Sequence, residues 1–268
     1  GQNFLVNDDI LKKIVDLAAL DGADDVLEIG PGIGTLTVAL LQNARSVISI
    51  EFDPDLPAVL VETTAPWANS FALIENDALN VSAADVESAF ARVYAGADDA
   101  DSTQVEQASS ARSFPNKLVA NLPYAVAATV VLDYFQRFDA LESMTVMVQR
   151  EVADRMMAQP DVKDYGAFTV KLSLYAQPAG RFPVGPGNFF PPPRVDSAVI
   201  RLDRRNCCDD QGNSLTAEEV RAACLMADAA FATRRKTLSN SCKTFFSGKG
   251  EQGKRVAAQL PALFEQAG

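Results

Sequence analysis

Histidine is absent from this chain of 268 residues. Its absence excludes serine–histidine triads, cysteine–histidine pairs and every zinc site that depends on imidazole. The four cysteines lack C-x-x-C spacing, so zinc and redox motifs are not expected, and free thiols favour a reducing cytoplasm. We therefore expect no metal site, and a reaction such as the transfer of an already activated group.

Long apolar runs and positive charge are also scarce. No run approaches the ~18 apolar residues of a membrane span, and no signal peptide is recognised, so a cytoplasmic protein with no membrane partner is expected. The net charge of −11 argues against nucleic acid as a partner of the whole surface. Basic residues are nonetheless concentrated between Arg181 and Arg205 and again at Arg234-Arg235-Lys236. Such patches either bind a polyanion or are solvated helix faces.

The segment from Val26 to Thr37, V-L-E-I-G-P-G-I-G-T-L-T, carries the most informative pattern. It predicts a short buried strand, a glycine turn and a helix that begins at Thr35. The glycines, Gly30 first among them, let the backbone approach a ligand closely, and the helix N–H groups would face that ligand. The spacing is not the dinucleotide pattern G-x-G-x-x-G, so the segment alone indicates a nucleotide-like cofactor about as strongly as an ordinary turn.

Three more predicted strands end at polar side chains. V-I-S-I-E-F-D brings Glu51 about 20 residues after Gly30, where a doubly wound sheet places the acid that binds a ribose. F-A-L-I-E-N-D ends at Asp77, whose carboxylate could accept from an adenine amine, and L-V-A-N-L-P-Y leads to Asn121. Together these strand ends predict a cofactor crevice. The alternative is that Glu51 and Asp77 are helix caps or solvated turn residues.

The order of predicted elements indicates two domains. Strands and helices alternate up to residue 205, whereas residues 206–268 show helical patterns alone. This order predicts an α/β domain over 1–205 and a small all-helical domain over 206–268. The segment Ala95–Ser113 is predicted to be a surface insertion without a site. Locally we predict a first helix capped by Asp8 or Asp9, a strand over Phe168–Tyr175, a long loop over Pro178–Pro193 and a last strand over Val195–Leu202.

The tetrapeptide Asn121-Leu122-Pro123-Tyr124 predicts chemistry on an amine. The exocyclic amine of a purine is a poor nucleophile, because its lone pair is delocalised into the ring. Two acceptors aimed at its hydrogens favour the tetrahedral form, and the Asn121 side-chain oxygen and the Leu122 carbonyl, held by Pro123, could be these acceptors. Tyr124 could stack on the base. By itself the tetrapeptide is equally consistent with an ordinary strand-to-loop turn.

These motifs together resemble the ribosomal RNA adenine dimethyltransferase family, and most of all its small-subunit branch. The resemblance implies a class I S-adenosylmethionine-dependent methyltransferase, with a doubly wound, mostly parallel, seven-stranded Rossmann-like sheet and a small all-helical C-terminal domain. The acidic insertion and the acidic charge balance depart from the family pattern. The matching segments are G-Q-N-F-L, E-I-G-P-G-I-G, N-L-P-Y, M-V-Q-R-E-V-A-D-R-M, D-Y-G-A-F-T-V, F-F-P-P-P-R-V-D-S-A-V and F-A-T-R-R-K-T-L, together with the acids at positions 51 and 77.

The resemblance also implies how the cofactor is held. Asn3 and Leu5 would close over the methionine end of S-adenosylmethionine, and the backbone of Gly30 would pass close to the same end. Glu51 would hold the ribose of the cofactor, and Asp77 would accept from its adenine N6. On this interpretation the ends of the first four strands of the predicted sheet, including Asn121 on the fourth, form the cofactor site.

For the substrate, the resemblance implies an adenine flipped out of its stack. Asn121 would face both the sulfonium and the target amine, Tyr124 would stack on the base, and Phe189 would cover its other face. The product would be N6,N6-dimethyladenosine at two adjacent adenosines near the 3′ end of small-subunit rRNA. Arg194 and the Arg234-Arg235-Lys236 cluster would contact this rRNA in the immature small ribosomal subunit, and we expect a monomer.

Other functions stay open at the level of sequence. N-[LIP]-P-[YF] also serves methylation of glutamine and of DNA adenine, although F-F-P-P-P-R-V-D-S and R-R-K-T-L count against those substrates. The sister branch of the family modifies large-subunit rRNA and usually resembles this sequence less after the last strand. A further alternative is a ribosome-assembly factor that binds RNA with little catalysis.

Overall fold

The structure is a computed structural model that describes residues 3–95, 112–233 and 235–267. Within these ranges no helix is both long and apolar enough to cross a bilayer. The strands are β1 (Phe4–Leu5), β2 (Asp25–Ile29), β3 (Ser46–Glu51), β4 (Phe71–Glu75), β5 (Lys117–Asn121), β6 (Ser143–Gln149), β7 (Ala176–Val184), β8 (Phe189–Phe190) and β9 (Ser197–Arg204). The α-helices are α1 (Asp8–Ala18), α2 (Thr35–Leu41), α3 (Pro57–Thr64), α4 (Ala83–Ala95), α5 (Ala127–Arg137), α6 (Arg150–Met156), α7 (Ala167–Ser173), α8 (Ala217–Phe231), α9 (Leu238–Ser247) and α10 (Gly250–Ala267).

Two compact units share the chain. The first comprises Gly1–Ala153 with Gln177–Arg204, and the second comprises Asp154–Ala176 with Arg205–Gly268. The chain therefore passes into the second unit twice, at Asp154 and at Arg205. The later of these boundaries lies within one residue of the one expected after residue 205. The earlier entry is not visible in the order of predicted elements, because the packing of α7 on α8 joins segments that are distant in sequence.

A seven-stranded sheet forms the centre of the first unit, in the order β4-β3-β2-β5-β6-β9-β7. Strands β4, β3, β2, β5 and β6 pair in parallel, whereas β9 runs antiparallel to β6. The predicted mostly parallel, doubly wound α/β sheet is thereby confirmed. From β2 the chain first adds strands on one side and later, through β5, on the other. The strand order reverses at β2, which opens a crevice at the carboxyl ends of β2 and β5.

Burial on both faces explains the apolar composition of the central strands. Every residue of β2 and β3 is buried, as expected for strands of a parallel sheet that helices cover on both sides. Ile14 of α1, Leu40 of α2 and Val47 of β3 belong to one apolar cluster on one side of the sheet. This packing sets the start of α2, and therefore the glycine turn, against the end of β2.

Helix α1 is capped one residue earlier than the sequence suggests. The side-chain oxygen of Asn7 accepts the N–H groups of Asp9 and Ile10, at 2.9 and 3.3 Å. Asn7 has an extended backbone, with φ −107° and ψ 115°, as an N-cap residue requires. The prediction of Asp8 or Asp9 as the cap was wrong, because both lie in the first turn, where their charges favour the positive end of the helix dipole.

The predicted strand over Phe168–Tyr175 is wrong, since Ala167–Ser173 forms α7. The sequence alternates apolar and polar residues there, which imitates the two-residue period of a strand. The buried positions of α7 are instead Thr169 and Leu172, at a spacing of three. That spacing is helical, and the packing of α7 on α8 within the second unit selects it over the alternation.

The predicted loop over Pro178–Pro193 is also wrong in part. Strand β7 occupies Ala176–Val184, and the short β8 pairs with β1 at the N-terminus. Two prolines and Gly180 suggested a loop, because proline cannot donate to a central ladder. Strand β7 is an edge strand beside β9, so one side of its backbone needs no ladder partner and proline is tolerated.

The second unit is a small helical body. Cys242, Phe246 and Leu260 pack around the fully buried Ala229 of α8. The Ser241 hydroxyl donates to the Ala229 carbonyl at 2.8 Å and ties α9 to α8. Helix α8 begins at a capping box in which Thr216 and Glu219 bond reciprocally.

Candidate active site

A cavity of about 380 Å³ lies at the carboxyl ends of β2, β3 and β5 in the first unit. Every residue predicted to bind the cofactor or to act on the substrate lines it, except Asp77. The residues that the sequence singled out and that line the cavity are Asn3, Leu5, Gly30, Glu51, Asn121, Leu122, Pro123, Tyr124 and Phe189. They come from separate segments of the chain. The parallel sheet brings them together because the carboxyl ends of its strands all lie on the same side.

The glycine turn after β2 forms one wall of the cavity. Gly30 has a φ of +67° and donates its N–H to the Ile50 carbonyl at 2.9 Å, which holds the turn against β3. At Gly32 a Cβ atom would lie 3.0 Å from the ring of Phe4, which also lines the cavity. With a φ of +61° this position excludes a side chain on both conformational and steric grounds.

Glu51 is fixed in place by backbone N–H groups. Its Oε2 accepts from Gly32 at 3.2 Å, and its Oε1 accepts from Phe52 and Asp53, both at 2.9 Å. The carboxylate is therefore oriented before any ligand arrives. An ionised carboxylate has about four acceptor positions. The three N–H groups occupy three of them, so this group can still accept a hydrogen bond from a hydroxyl group at Oε2.

The tetrapeptide after β5 keeps its predicted acceptors available. The Leu122 N–H donates to the Met147 carbonyl at 3.0 Å, and the Pro123 carbonyl accepts from the start of α5. Among the described residues, neither the Asn121 side chain nor the Leu122 carbonyl has a hydrogen-bond partner. Both residues line the cavity, so their oxygens are acceptors that an amine in the cavity could use.

Two aromatic rings besides that of Phe4 line the same cavity. Tyr124 is half-buried, and its hydroxyl lies 3.1 Å from the Ser197 Oγ at the start of β9. Phe189 is 4% exposed and is held by the pairing of β8 with β1. A planar base could contact both rings, as the sequence suggested.

Asp77 is the predicted residue that does not line the cavity. It lies in the turn after β4, and its Oδ1 accepts the N–H of Leu79 at 2.9 Å. The Asp77 carbonyl accepts from Asn80 and Val81, so backbone and side chain both stabilise this turn. These contacts match the alternative reading as a turn residue, and its role at a cofactor stays a prediction.

None of the described residues predicted to contact RNA is among those that line the cavity. Arg194 is exposed in the segment between β8 and β9 of the first unit. In the second unit, Arg235 and Lys236 are exposed in the turn before α9, and Arg235 has a φ of +65°. Arg234 lies outside the described residues.

Comparison with known proteins identifies the family. A family model described as ribosomal RNA adenine dimethylase matches residues 1–260 of this chain. The chain belongs to this family. The predicted family and the prediction of an enzyme are thereby confirmed, and dimethylation of adenine in ribosomal RNA is the activity of this family.

Relatives of this dimethylase share most of its length. The ribosomal RNA small subunit methyltransferase A of Corynebacterium jeikeium is 36% identical over 286 residues, which cover 98% of this chain and 84% of the relative. The protein of the same name from Magnetococcus marinus is 38% identical over 245 residues, covering 91% and 77%.

Solved structures with the same fold include a dimethyladenosine transferase from Plasmodium falciparum, with a TM-score of 0.66, 24% identity and coverage of 90% of this chain and 74% of that chain. The 23S rRNA methyltransferase ErmE has a TM-score of 0.63, 24% identity and coverage of 89% and 83%. At this level of identity the two structures support the fold alone.

Sequence reasoning missed Glu28, a buried carboxyl group on β2 that lines the cavity of this dimethylase. Its Oε2 accepts from the hydroxyls of Thr37 and Ser49, both at 2.7 Å, while its buried Oε1 has no partner in the described chain. Burial raises the pKa of Glu28 to about 7, although both hydroxyl bonds oppose that shift. The available signal was an acid within the apolar run V-L-E-I.

Proposed function

We propose that this dimethylase transfers methyl groups from S-adenosylmethionine to N6 of two adjacent adenosines near the 3′ end of small-subunit rRNA, within the immature small ribosomal subunit. The observation that carries the proposal is the meeting of Glu51, Asn121 and Tyr124 in one cavity at the strand ends. The relatives named for the small subunit support that substrate over large-subunit rRNA.

The cavity residues fit the proposed cofactor. Glu51 is pre-oriented and can accept from a ribose hydroxyl, and the free Oε1 of Glu28 offers a buried acceptor to a polar or cationic group. Asn3, Leu5 and Gly30 would complete the cofactor contacts, and Asp77, at the neighbouring strand end, would accept from its adenine amine. When bound, S-adenosylmethionine supplies an electrophilic methyl group on a positively charged sulfur.

On the substrate side, the residues after β5 would prepare the amine. The Asn121 side-chain oxygen and the Leu122 carbonyl accept the two N6 hydrogens and draw the nitrogen toward tetrahedral geometry, with Pro123 restricting the backbone between Leu122 and Tyr124. Tyr124 and Phe189 would hold the base between them, which offsets the few kcal/mol that base flipping costs. No side chain has to act as a base, because the proton displaced from the methylated nitrogen leaves to water.

Exposed cations would position the rRNA backbone. Arg194 in the first unit and Arg235 and Lys236 in the second are accessible to phosphate groups, and Arg234 completes the cluster in sequence. Contacts with phosphate fix orientation and carry no sequence information. Selectivity for the target adenosine would then come from the cavity, and these cations would hold the ribosomal subunit. The protein would act as a monomer.

The test is methyl transfer to immature small subunits with tritium-labelled S-adenosylmethionine. Asn121→Ala removes one amine acceptor, and we expect its rate to fall about 100-fold or more, by analogy with the loss of one pre-oriented hydrogen bond in other active sites. Asn43→Ala is the matched control, because Asn43 is exposed and its amide bonds the Ala39 carbonyl at the end of α2. We expect the control to stay within about twofold of the parent.

The outcomes separate the alternatives. Equal transfer by the parent and Asn121→Ala would refute the role of Asn121. Subunit binding by the parent without any transfer would favour the assembly-factor alternative. Transfer to large-subunit rRNA in preference to small subunits would overturn the proposed substrate.

A further inference from the structure

Strand β8 holds two adjacent phenylalanines in different environments. Phe189 pairs with Leu5 and is buried in the cavity wall, whereas Phe190 pairs with Phe4 and is 70% exposed. Successive side chains of a strand point to opposite faces. The strand that places one ring in the cavity therefore places the next ring on the adjoining surface, where core packing does not require an aromatic residue.

Two more exposed apolar residues lie in the segments that flank β1 and β8. Val6 is 54% exposed, and its N–H donates to the Asn188 carbonyl at 3.0 Å, directly before β8. Val195, between β8 and β9, is 41% exposed. We name Val6, Phe190 and Val195 the β8 rim. Exposed apolar residues grouped beside a ligand cavity are typical of a contact surface.

A cation follows β8 in the chain. Arg194, four residues after Phe190, is exposed and makes no ion pair with any described carboxylate. Arg150 differs, since its guanidinium pairs with Asp196 at 2.8 Å and its charge is balanced. An exposed aromatic ring, followed four residues later by a guanidinium without an ion pair, suits a nucleotide, which has a base to stack and a phosphate to pair.

We propose that the β8 rim and Arg194 bind the nucleotide next to the adenosine whose base occupies the cavity, with the neighbouring base stacked on Phe190 and its phosphate beside Arg194. This inference rests on the proposed function, because a base in the cavity is covalently linked to a neighbour that must lie at the cavity edge. When one of two adjacent adenosines occupies the cavity, the other is its neighbour on one side, and in that register it occupies the rim.

A single-stranded RNA oligonucleotide provides the direct test. One of its two adjacent adenosines is replaced by 2-aminopurine, whose fluorescence falls when it stacks. This base lacks a 6-amino group, so the remaining adenosine suits the cavity and the probe is left for the rim. With S-adenosylhomocysteine present, we expect quenching by the parent and by Phe190→Tyr. Phe190→Ala should lose the quenching and bind the RNA about 5- to 100-fold more weakly.

The control variant is Val61→Ala, an equally exposed apolar position, 65% accessible, on α3. It should quench and bind like the parent. Phe190→Ala should also lower kcat/KM for immature small subunits by a similar factor, while the affinity for S-adenosylmethionine, from calorimetric titration, should not change. A weaker cofactor affinity would show that the substitution disturbs the cavity and would overturn the inference.

The readouts distinguish failure of this inference from failure of the proposed function. If the parent transfers methyl groups and Phe190→Ala equals it in quenching and transfer, the rim assignment is wrong while the function stands. If the parent transfers no methyl groups but quenching depends on Phe190, the proposed function is wrong and the β8 rim is still a nucleotide-binding surface. Equal quenching with weaker capture of whole subunits would indicate a protein contact and overturn the nucleotide assignment.

Discussion

At the scale of single residues, Glu28 in the cavity makes the free energy of unfolding depend on pH. The pKa of this buried carboxyl group is raised from 4.5 to about 7, chiefly by burial. Between these values the folded protein holds a proton that the unfolded chain has released. The free energy of unfolding therefore falls as the pH rises from about 4.5 to about 7, and the loss is complete above that window.

We expect Glu28→Gln to remove this loss, because glutamine cannot ionise and still offers an acceptor to Thr37 and Ser49. The variant should match the parent near pH 4.5 and be more stable at pH 8 by up to about 3 kcal/mol. Urea denaturation at both pH values measures the difference. Glu75→Gln, at the exposed end of β4, is the control. If the difference in the free energy of unfolding between Glu28→Gln and the parent is the same at pH 4.5 and at pH 8, the raised pKa of Glu28 is contradicted.

Tyr124 separates substrate binding from cofactor binding. We expect Tyr124→Ala to lower kcat/KM for immature subunits by about 100-fold, since a stacking surface worth ~1–3 kcal/mol is lost together with its positioning. Tyr124→Phe keeps the ring and loses only the contact with Ser197, so a reduction of about fivefold is expected. Calorimetric titration should show nearly unchanged S-adenosylmethionine affinity for both variants. A weakened cofactor affinity with little change in rate would count against stacking.

At the scale of secondary-structure elements, the cavity lies at the carboxyl ends of the parallel strands, and a polar network lies at their amino ends. Asp25, at the start of β2, is fully buried and accepts from the Ser46 hydroxyl at 2.7 Å and the Tyr94 hydroxyl at 2.6 Å. It also pairs with Arg45, and Arg112 donates to the Ala23 carbonyl at 3.0 Å. The two flanks of residues 96–111 are therefore held at the amino ends of the strands, away from the cavity.

We expect deletion of residues 97–110, with a short glycine–serine link, to leave methyl transfer within about twofold of the parent. The side chains of Tyr94 and Arg112 both reach Asp25, at 2.6 and 4.0 Å, so both flanks of the deletion stay anchored at the amino end of β2. The predicted insertion, Ala95–Ser113, lies mostly outside the described residues, and this experiment tests its lack of a site. A large loss of transfer, with an unchanged free energy of unfolding, would show that the insertion takes part in function.

At the scale of the whole molecule, charge is divided unevenly along the chain. Residues 206–268 contain seven acidic and eight basic residues and have a net charge of +1. Since the whole chain has a net charge of −11, residues 1–205 have a net charge of −12. The acidic part would repel RNA at long range. Binding of a subunit then depends on local cations, of which Arg235 and Lys236 are exposed.

We expect replacement of Arg235 and Lys236 by alanine to weaken binding to immature subunits and to reduce the slope of log K against log salt by about 2, one for each phosphate contact. Transfer at saturating subunit should be unchanged, because neither residue lines the cavity. Lys254→Ala is the matched control, since this lysine is already paired with Glu251 at 2.6 Å. An unchanged salt slope in the double variant would exclude the cluster from the interface.

The sequence by itself determined the order of elements from α1 to α6, the family and most of the cavity lining. Apolar runs such as β2 and β3 are visible because strands buried on both faces need no alternation. The glycine turn, the strand-end acid Glu51 and the tetrapeptide at Asn121 are local patterns, and a parallel sheet brings strand ends to one edge whatever the connecting segments are. These features depend on short stretches of chain, so reading them requires no knowledge of distant contacts.

Only the tertiary structure decided the remaining features. Whether Phe168–Tyr175 forms a helix or a strand depended on which side chains pack against α8, and β7 tolerates its prolines only because it lies at the sheet edge. The free oxygen of Glu28 and the contact of Tyr124 with Ser197 likewise arise between segments distant in sequence. Burial and edge position are properties of the packed molecule, and no local pattern encodes them.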